Sequence, residues 1–158
     1  MWGTLPAVPN VRAATTGDLD AVVALWDRAA GPTRHAGRHD EAARLLRRDP
    51  GALLVAVDGD TVVGTVIVGW DGWRAHLYRL AVAPEARRHG IARALVDAAG
   101  KRASGLGAMR VDAMVHAGND AAIGFWRAAG FSVEGDDRRW SLVPGDADPP
   151  APTSAARR

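Results

Sequence analysis

Apolar side chains recur in two stretches at intervals of three and four residues, the period that buries one stripe of an α-helix. The first stripe is Leu19, Val22, Val23 and Trp26, and the second is Ile91, Ala94, Leu95 and Ala98. Thr15 or Thr16 can cap the first helix, and Gly31-Pro32 stops it. Helices are predicted at about 16–30, 38–48, 90–104 and 119–129.

Runs of β-branched and apolar residues between turn signals predict the strands. They lie at 10–13, 52–57, 61–69, 76–83, 109–116, 131–134 and 138–143. Asp58-Gly59, between the second and third strands, is a strong signal for a tight hairpin. Antiparallel strands followed by a β-α-β-α order predict an α/β (mixed α+β) fold, with one mostly antiparallel sheet and helices on both faces.

The length of 158 residues suits one domain with a substantial core, and we predict that it spans 10–143. Residues 1–9 contain two prolines and are predicted to be a flexible lead-in. Residues 144–158 contain four prolines and no apolar run, so they are predicted to be disordered.

Composition narrows the function classes. There are no cysteines, which excludes disulfides, thiolate metal sites and an acyl-cysteine intermediate. Twenty basic residues oppose 18 acidic ones, a net charge of +2, so no broad basic face for nucleic acid is expected. The first residues do not resemble a signal peptide, and no apolar stretch approaches the roughly 18 residues of a membrane span. We therefore expect a cytoplasmic protein without membrane contact.

A cationic turn precedes the helix predicted at 90–104. Arg87, Arg88 and His89 lie where a helix leaves its first backbone N–H groups unpaired. These donors, the positive end of the helix dipole and two guanidinium groups suit a phosphate. Gly90 and Ala92 add little bulk, so an anion can approach the backbone closely.

Two motifs resemble those of the Gcn5-related N-acetyltransferase (GNAT) superfamily. Arg87-Arg88-His89-Gly90-Ile91-Ala92 is similar to its Arg/Gln-x-x-Gly-x-Gly/Ala signature, and the Asn119–Phe131 stretch is similar to its Asn-x-x-Ala-x-x-Phe-Tyr-x-x-x-Gly-Phe element. The resemblance implies a splayed parallel strand pair that admits acetyl-coenzyme A (acetyl-CoA) as co-substrate. The implied cofactor-binding residues are Leu80, Ala81, Val82, Arg87, Arg88, His89, Gly90, Ile91, Ala92, Asn119, Phe125 and Trp126.

The loop at 70–74 contains two tryptophans. Its sequence, with the preceding strand, resembles small stand-alone bacterial acetyltransferases that carry Gly-x-Asp-Gly-His-Arg, although Trp73 replaces the histidine. Two alternatives remain for these aromatic side chains. They form a binding surface, or they form a flap or the contact of a homodimer.

Candidate catalytic groups lie on the two strands predicted to splay. His116 titrates near neutrality and is by its chemistry the better proton acceptor, with Asp112 either orienting it or acting as the base itself. Tyr78, which strand alternation places with His76, Leu80 and Val82 on one face, is expected to orient the substrate or a water. Trp126 stands where the family often has a tyrosine general acid, and an indole cannot supply that acidity.

The resulting hypothesis is an acetyl-CoA-dependent N-acetyltransferase that acts directly on a small amine or a peptide amine. The alternatives are O-acyl transfer, use of a longer acyl chain, or a CoA-binding regulatory module without turnover. No metal is expected: His35 and His39 have a spacing that can bind metal on a helix, but Gly37 lies between them and no carboxylate follows.

Overall fold

One five-stranded sheet forms the centre of the molecule, with its strands in the order β1-β2-β3-β4-β5. The computed structural model describes residues 9–29 and 39–135. Its strands are β1 (Asn10–Ala13), β2 (Leu53–Asp58), β3 (Thr61–Trp70), β4 (Ala75–Val82) and β5 (Val111–Ala113). Adjacent strands are antiparallel except β4 and β5, which are parallel. The predicted mixed sheet is confirmed.

Helices cover both faces of this sheet. They are α1 (Leu19–Ala29), α2 (His39–Arg48), α3 (Ile91–Gly105) and α4 (Asp120–Ala128). Trp26 of α1 reaches the side chain of Thr65 on one face of β3. On the other face, a Cβ added to Gly64 would lie 2.8 Å from Ile91 and 2.9 Å from Leu95 of α3. Glycine at position 64 therefore lets α3 pack directly on the sheet backbone.

The apolar stripes predicted for α1 and α3 are confirmed in position and rotated slightly. In α1, Leu25 is buried and Val23 is only partly buried. In α3, the buried row continues through Ala99 and Ala103, while Ala94 and Ala98 lie at its margin. Contacts with the side chains of the sheet decide which face of each helix is buried. The apolar pattern alone therefore leaves the rotation of a helix about its axis uncertain by about one residue.

The hairpin predicted at Asp58-Gly59 is confirmed, and Gly59 adopts a φ of 58°. The strand predicted at 109–116 is shorter, because its ladder with β4 ends at the pair Leu77 and Ala113. Residues 131–134 form no strand within the described chain, and their predicted partner at 138–143 lies outside it. Residues 1–8, the segment 30–38 and the tail at 144–158 also lie outside the described residues.

None of the helices in the described ranges combines the length and the apolar character needed to cross a bilayer.

Candidate functional site

Strands β4 and β5 separate at one edge of the sheet. Their parallel pairing stops at Leu77 and Ala113, yet β4 continues for five more residues to Val82. Along this length the side of β4 that faces away from β3 has no strand partner among the described residues. The splayed pair implied by the family resemblance is thus present, and it leaves a row of backbone groups facing a cleft.

A β-bulge interrupts β4 at the start of this cleft. Thr65 pairs with Ala81 and Ile67 pairs with Tyr78, so Val66 alone faces both Arg79 and Leu80. Arg79 has a φ of 54°, a left-handed conformation that costs a non-glycine residue about 1–3 kcal/mol.

The bulge corrects the predicted alternation of side chains along β4. Tyr78 contacts Gly69 on the face of the sheet that carries α1. Val82 pairs with Gly64, whose face carries α3. The expectation that His76, Tyr78, Leu80 and Val82 share one face is therefore wrong, because the extra residue shifts the alternation by one position.

The same shift decides which backbone groups point into the cleft. The N–H of Ala83 donates to the carbonyl of Val63 at 2.8 Å. In an antiparallel ladder hydrogen-bonded pairs alternate, so Ala81 uses its backbone groups on β3. Leu80 and Val82 then direct theirs away from β3. Of the three backbone positions that the family resemblance implies, these two face the cleft.

The cationic turn and the start of α3 adjoin the end of β4. After a short helical turn at Pro84–Ala86, Arg88 and Gly90 adopt φ values of 63° and 75°. The backbone N–H groups of Arg88, His89 and Gly90 have no acceptor within the described residues, and the first N–H groups of α3 have no carbonyl one turn earlier. A Cβ added at Gly90 would meet no atom within 4 Å, so the space in front of these donors is open.

The side chains of this turn surround the free donors. Both arginines are exposed, and Nε of Arg87 lies 3.4 Å from the carbonyl of Val82, at the limit of a hydrogen bond. Nδ1 of His89 lies 3.2 Å from the carbonyl of Ala86, which can only accept, so the ring donates there. Ile91 is buried and anchors the helix start, while Ala92 is partly exposed. The predicted anion cradle has the geometry that an anionic ligand needs.

The second motif lies at the same edge of the sheet, because it follows the end of the parallel strand β5. The side-chain oxygen of Asn119 accepts from the N–H of Ala122 at 3.1 Å and caps α4. Arg93 of α3 donates to the carbonyl of Ala128 at 3.1 Å and ties the two helices together. The structure thus brings both sequence motifs to one end of the molecule.

Two aromatic residues of α4 are held by edge-on packing. The ring of Trp126 lies 5.4 Å from that of Phe125 and 4.8 Å from that of Phe131, at an interplanar angle of 74° in both pairs. Both α4 rings are partly buried, and the indole N–H has no partner among the described residues. The arrangement is that of a packing residue, consistent with an indole that cannot act as an acid.

Tyr78 lies immediately before the bulge, at the mouth of the cleft. Its side chain is 46% exposed, and partial burial raises the pKa of its hydroxyl above the ordinary value. The phenol therefore stays protonated at neutral pH, where it can donate or accept a hydrogen bond but is a poor base.

His116 and Asp112 are engaged with other groups. Nδ1 of His116 accepts from the N–H of Gly118 at 3.1 Å, so the proton of the neutral ring lies on Nε2. Asp112 contacts Nε of Arg110 at 2.8 Å and lies 3.8 Å from Nδ1 of His76. The carboxylate thus contacts Arg110, just before its own strand, and lies near His76 of β4. No contact between Asp112 and His116 supports the expectation that Asp112 orients that ring.

The tryptophan loop lies at the opposite end of β4 from the cationic turn. Asp71 accepts from the N–H groups of Trp73 and Arg74, both at 2.7 Å. These hydrogen bonds lower the pKa of its carboxyl, and the bond from Arg74 has the larger effect. Trp73 is 61% exposed, and its indole N–H contacts the sulfur of Met109 at 2.7 Å. The homodimer suggested for this loop stays a prediction.

Of the two histidines considered for a metal, His35 lies outside the described residues. His39 lies 3.3 Å from Asp20. No group of three potential metal ligands clusters anywhere in 9–29 and 39–135.

Sequence reasoning missed the roles of Arg79 and Thr65. Thr65 is fully buried, and its hydroxyl bonds both the indole of Trp26 and the carbonyl of Arg79. A signal for Thr65 was available, since it is the one polar side chain in the run from Val62 to Val68. Arg79 has no such signal, because arginine rarely adopts a positive φ.

The geometry fits the pyrophosphate and pantetheine of acetyl-CoA in two respects. Free N–H donors flanked by two guanidinium groups suit phosphate oxygens. The backbone groups of Leu80 and Val82, which have no strand partner on the cleft side among the described residues, suit the amide groups of a pantetheine arm, which pair with backbone as a strand would.

Comparison with known proteins agrees with this reading. Residues 19–131 match the model of the acetyltransferase (GNAT) family. The chain is 34% identical over 117 residues to an acetyltransferase of Pectobacterium atrosepticum, covering 74% of this chain and 83% of that protein. It is 31% identical over 125 residues to an uncharacterized N-acetyltransferase of Yersinia pestis, covering 79% and 89%.

Among solved structures, AAC(6')-Iy in complex with the bisubstrate analogue CoA-S-monomethyl-acetylneamine superposes with a TM-score of 0.71. The match covers 85% of this chain and 97% of that one at 16% identity, and it shows a shared fold. The family uses acetyl-CoA as its co-substrate. With a family model matched over 19–131, the chain belongs to the GNAT family of acetyltransferases.

Proposed function

We propose that this acetyltransferase moves the acetyl group of acetyl-CoA directly to a primary amine, on a small molecule or at a peptide terminus. The observation that carries the proposal is the alignment of a cation-flanked helix start with the unpartnered edge of β4. The name of the Yersinia pestis relative, an N-acetyltransferase, supports nitrogen as the acceptor atom.

In this proposal the turn and α3 hold the phosphates of the co-substrate. Arg87 and Arg88 supply charge, and the N–H groups from Arg88 to Ala92 supply directed donors. His89, Gly90 and Ile91 shape the turn. Leu80 and Val82 hold the pantetheine arm through their backbone groups, with Ala81 between them holding the strand on β3.

The residues of α4 complete the wall of the cleft. Asn119 caps the helix with its side-chain oxygen and keeps its NH₂ group available to donate. Phe125 and Trp126 offer apolar surface to the arm of the co-substrate. Acetyl-CoA itself supplies the activated thioester, and the protein holds it where an amine can attack.

In this scheme the protein supplies neither a strong general base nor a general acid. The amine must be neutral to attack, and the small neutral fraction present near pH 7 can bind directly from solvent. Tyr78 orients the amine or a water through its neutral hydroxyl. As the C–N bond forms and the C–S bond breaks, the thiolate, with a pKa near 8.5 by analogy with cysteine, leaves without a tyrosine acid because position 126 is tryptophan. The proton that the amine loses passes to solvent water.

That same tryptophan favours one rival, a CoA-binding module without turnover. A screen of amine acceptors with release of free thiol as the readout separates the two. Thiol release that depends on both acetyl-CoA and an amine supports transfer to nitrogen. Binding of acetyl-CoA with no thiol released by amines, alcohols or peptides would favour the rival.

The cradle is tested by calorimetric titration with acetyl-CoA. We expect Arg87→Ala to weaken binding by about tenfold to a hundredfold, the scale of a lost charge-assisted hydrogen bond, and Gly90→Glu to weaken it further through repulsion. Arg47→Ala, on the exposed side of α2, removes the same charge elsewhere and should leave affinity unchanged.

A matched control exists for the backbone at Gly90. Gly107, at the other end of α3, has a φ of 81° against 75° for Gly90, and a Cβ there also meets no atom within 4 Å. Gly107→Glu therefore carries the same backbone strain without an anion site. Equal affinity for acetyl-CoA in the Arg87→Ala, Gly90→Glu and wild-type proteins would overturn the assignment of the cradle.

A further inference from the structure

We propose that Trp26, Thr65 and Arg79 form a clasp that holds the bulge of β4 and thereby sets which backbone groups face acetyl-CoA. The inference rests on the proposed binding mode at Leu80 and Val82. It assigns a positioning role to Trp26 of α1, Thr65 of β3 and Arg79 in the bulge of β4.

The clasp is closed by three contacts. The indole N–H of Trp26 donates to the hydroxyl oxygen of Thr65 at 2.9 Å. That hydroxyl donates in turn to the carbonyl of Arg79, also at 2.9 Å. The guanidinium of Arg79 then folds back over the Trp26 ring, 4.9 Å from its centroid, as a cation–π contact.

The side chains of Thr65 and Trp26 are buried, so each depends on its partner within the clasp. Thr65 has no exposed surface and Trp26 is 4% exposed, so neither can replace a lost partner with bulk water. The carbonyl of Arg79 lies at the bulge, where the register gives it no regular strand partner among the described residues, and the Thr65 hydroxyl donates to it. The strained φ of Arg79 persists because these contacts hold both its carbonyl and its side chain.

A β4 without the bulge would present different backbone groups to the cleft. If the same residues continued in regular strand alternation from Tyr78, with no bulge, Ala81 and not Leu80 and Val82 would turn its backbone groups to the cleft. The clasp therefore acts on co-substrate binding without touching the co-substrate.

Calorimetric titration of the full chain with acetyl-CoA tests this role, after wild-type binding has been measured. Thr65→Val keeps the shape of the side chain and removes both hydrogen bonds, and we expect it to raise the Kd by about tenfold. Thr65→Ser restores the hydroxyl and should restore most of the affinity.

A second pair of variants tests the bulge itself. Arg79→Gly removes the guanidinium and tolerates a positive φ, whereas Arg79→Val is β-branched and disfavours that conformation. We expect Arg79→Val to bind acetyl-CoA clearly more weakly than Arg79→Gly. Leu46→Ala serves as the control, since it removes a buried side chain from α2, outside β3 and β4, and should lower the melting temperature without altering the bulge.

The clasp is refuted if folded Thr65→Val binds acetyl-CoA as wild type does. It is equally refuted if Arg79→Gly and Arg79→Val bind alike, a comparison that still decides the matter should Thr65→Val not fold. Affinity that simply follows melting temperature, with Leu46→Ala on the same line, also rejects a positioning role. Failure of the wild-type protein to bind acetyl-CoA would instead reject the proposed function.

Discussion

At the scale of single residues, proton chemistry in the cleft depends on which ring nitrogen of His116 carries hydrogen. An imidazole can act as a base only through a ring nitrogen with a free lone pair. The N–H of Gly118 occupies Nδ1, so the neutral ring presents an N–H at Nε2 and no free lone pair. Acting as a base would require breaking that hydrogen bond.

We therefore expect His116→Ala to lower turnover by less than about tenfold, against the hundredfold typical of a lost general base. The pH profile of the rate should follow the pKa of the amine acceptor in both proteins. An acidic limb that disappears in His116→Ala, together with a loss of turnover of about a hundredfold, would return the base to His116.

Tyr78→Phe tests the orienting role at the neighbouring strand. Because partial burial raises the pKa of Tyr78, its hydroxyl adds no limb to the profile below about pH 10. We expect a lower kcat with the shape of the profile unchanged, and a much smaller change in the Kd for acetyl-CoA. An unchanged kcat would remove Tyr78 from the reaction.

At the scale of elements, a charged clip joins β1 to the start of α1. The carboxylate of Asp18 accepts from Arg12 at 2.7 and 2.9 Å and from the N–H of Thr15 at 2.7 Å. The hydrogen bonds from Arg12 are the main reason that the pKa of Asp18 lies well below its usual range, and the hydrogen bonds from Thr15 lower it further. The cap expected at Thr15 or Thr16 is thus completed by an ion pair that the sequence pattern did not indicate.

The clip makes stability depend on pH in a defined direction. A carboxyl whose folded pKa is lowered stabilises the protein above its unfolded pKa, near 3.9, and loses that contribution as pH falls further. Asp18→Asn should lower the free energy of unfolding by about 1 kcal/mol at pH 7, with the difference shrinking below about pH 4. Denaturant unfolding at pH 7 and pH 3 measures it.

Asp97→Asn is the control for that prediction. Asp97 pairs with Arg93 at 3.0 Å on the exposed surface of α3, where an ion pair contributes little. A loss for Asp97→Asn equal to that of Asp18→Asn at pH 7, or a difference between Asp18→Asn and wild type that is no smaller at pH 3 than at pH 7, would contradict the account of the clip.

At the scale of the whole molecule, the two ends of β4 carry different surfaces. The cationic turn follows Val82, and the exposed pair Trp73 and Met109 lies beyond Ala75 at the other end. The proposed acetyl-CoA site lies at the end of β4 that carries the cationic turn. It does not include the pair Trp73 and Met109. None of the residues assigned to it lies after residue 143.

Deleting residues 145–158 should therefore leave both the melting temperature and the affinity for acetyl-CoA unchanged. The segment contains no apolar run, so its sequence predicts too little burial to offset the entropy of ordering it. A fall of several degrees, or a weaker Kd, would show that the tail packs on the domain or its ligand.

The sequence by itself determined the local features of this protein. The helical stripe from Leu19 to Trp26, the hairpin at Asp58-Gly59 and the cationic turn before Ile91 depend on neighbours in the chain, and all three are present as predicted. Pattern and turn chemistry act over a few residues, which is why they can be read without a fold.

Only the tertiary structure decided the features that join distant segments. The bulge at Arg79 depends on a hydroxyl 14 residues earlier and an indole 39 residues before that hydroxyl. The early end of β5 depends on where β4 diverges from it. The strained conformation and the strand end are each set by the partner that packing supplies, and no local pattern encodes that partner.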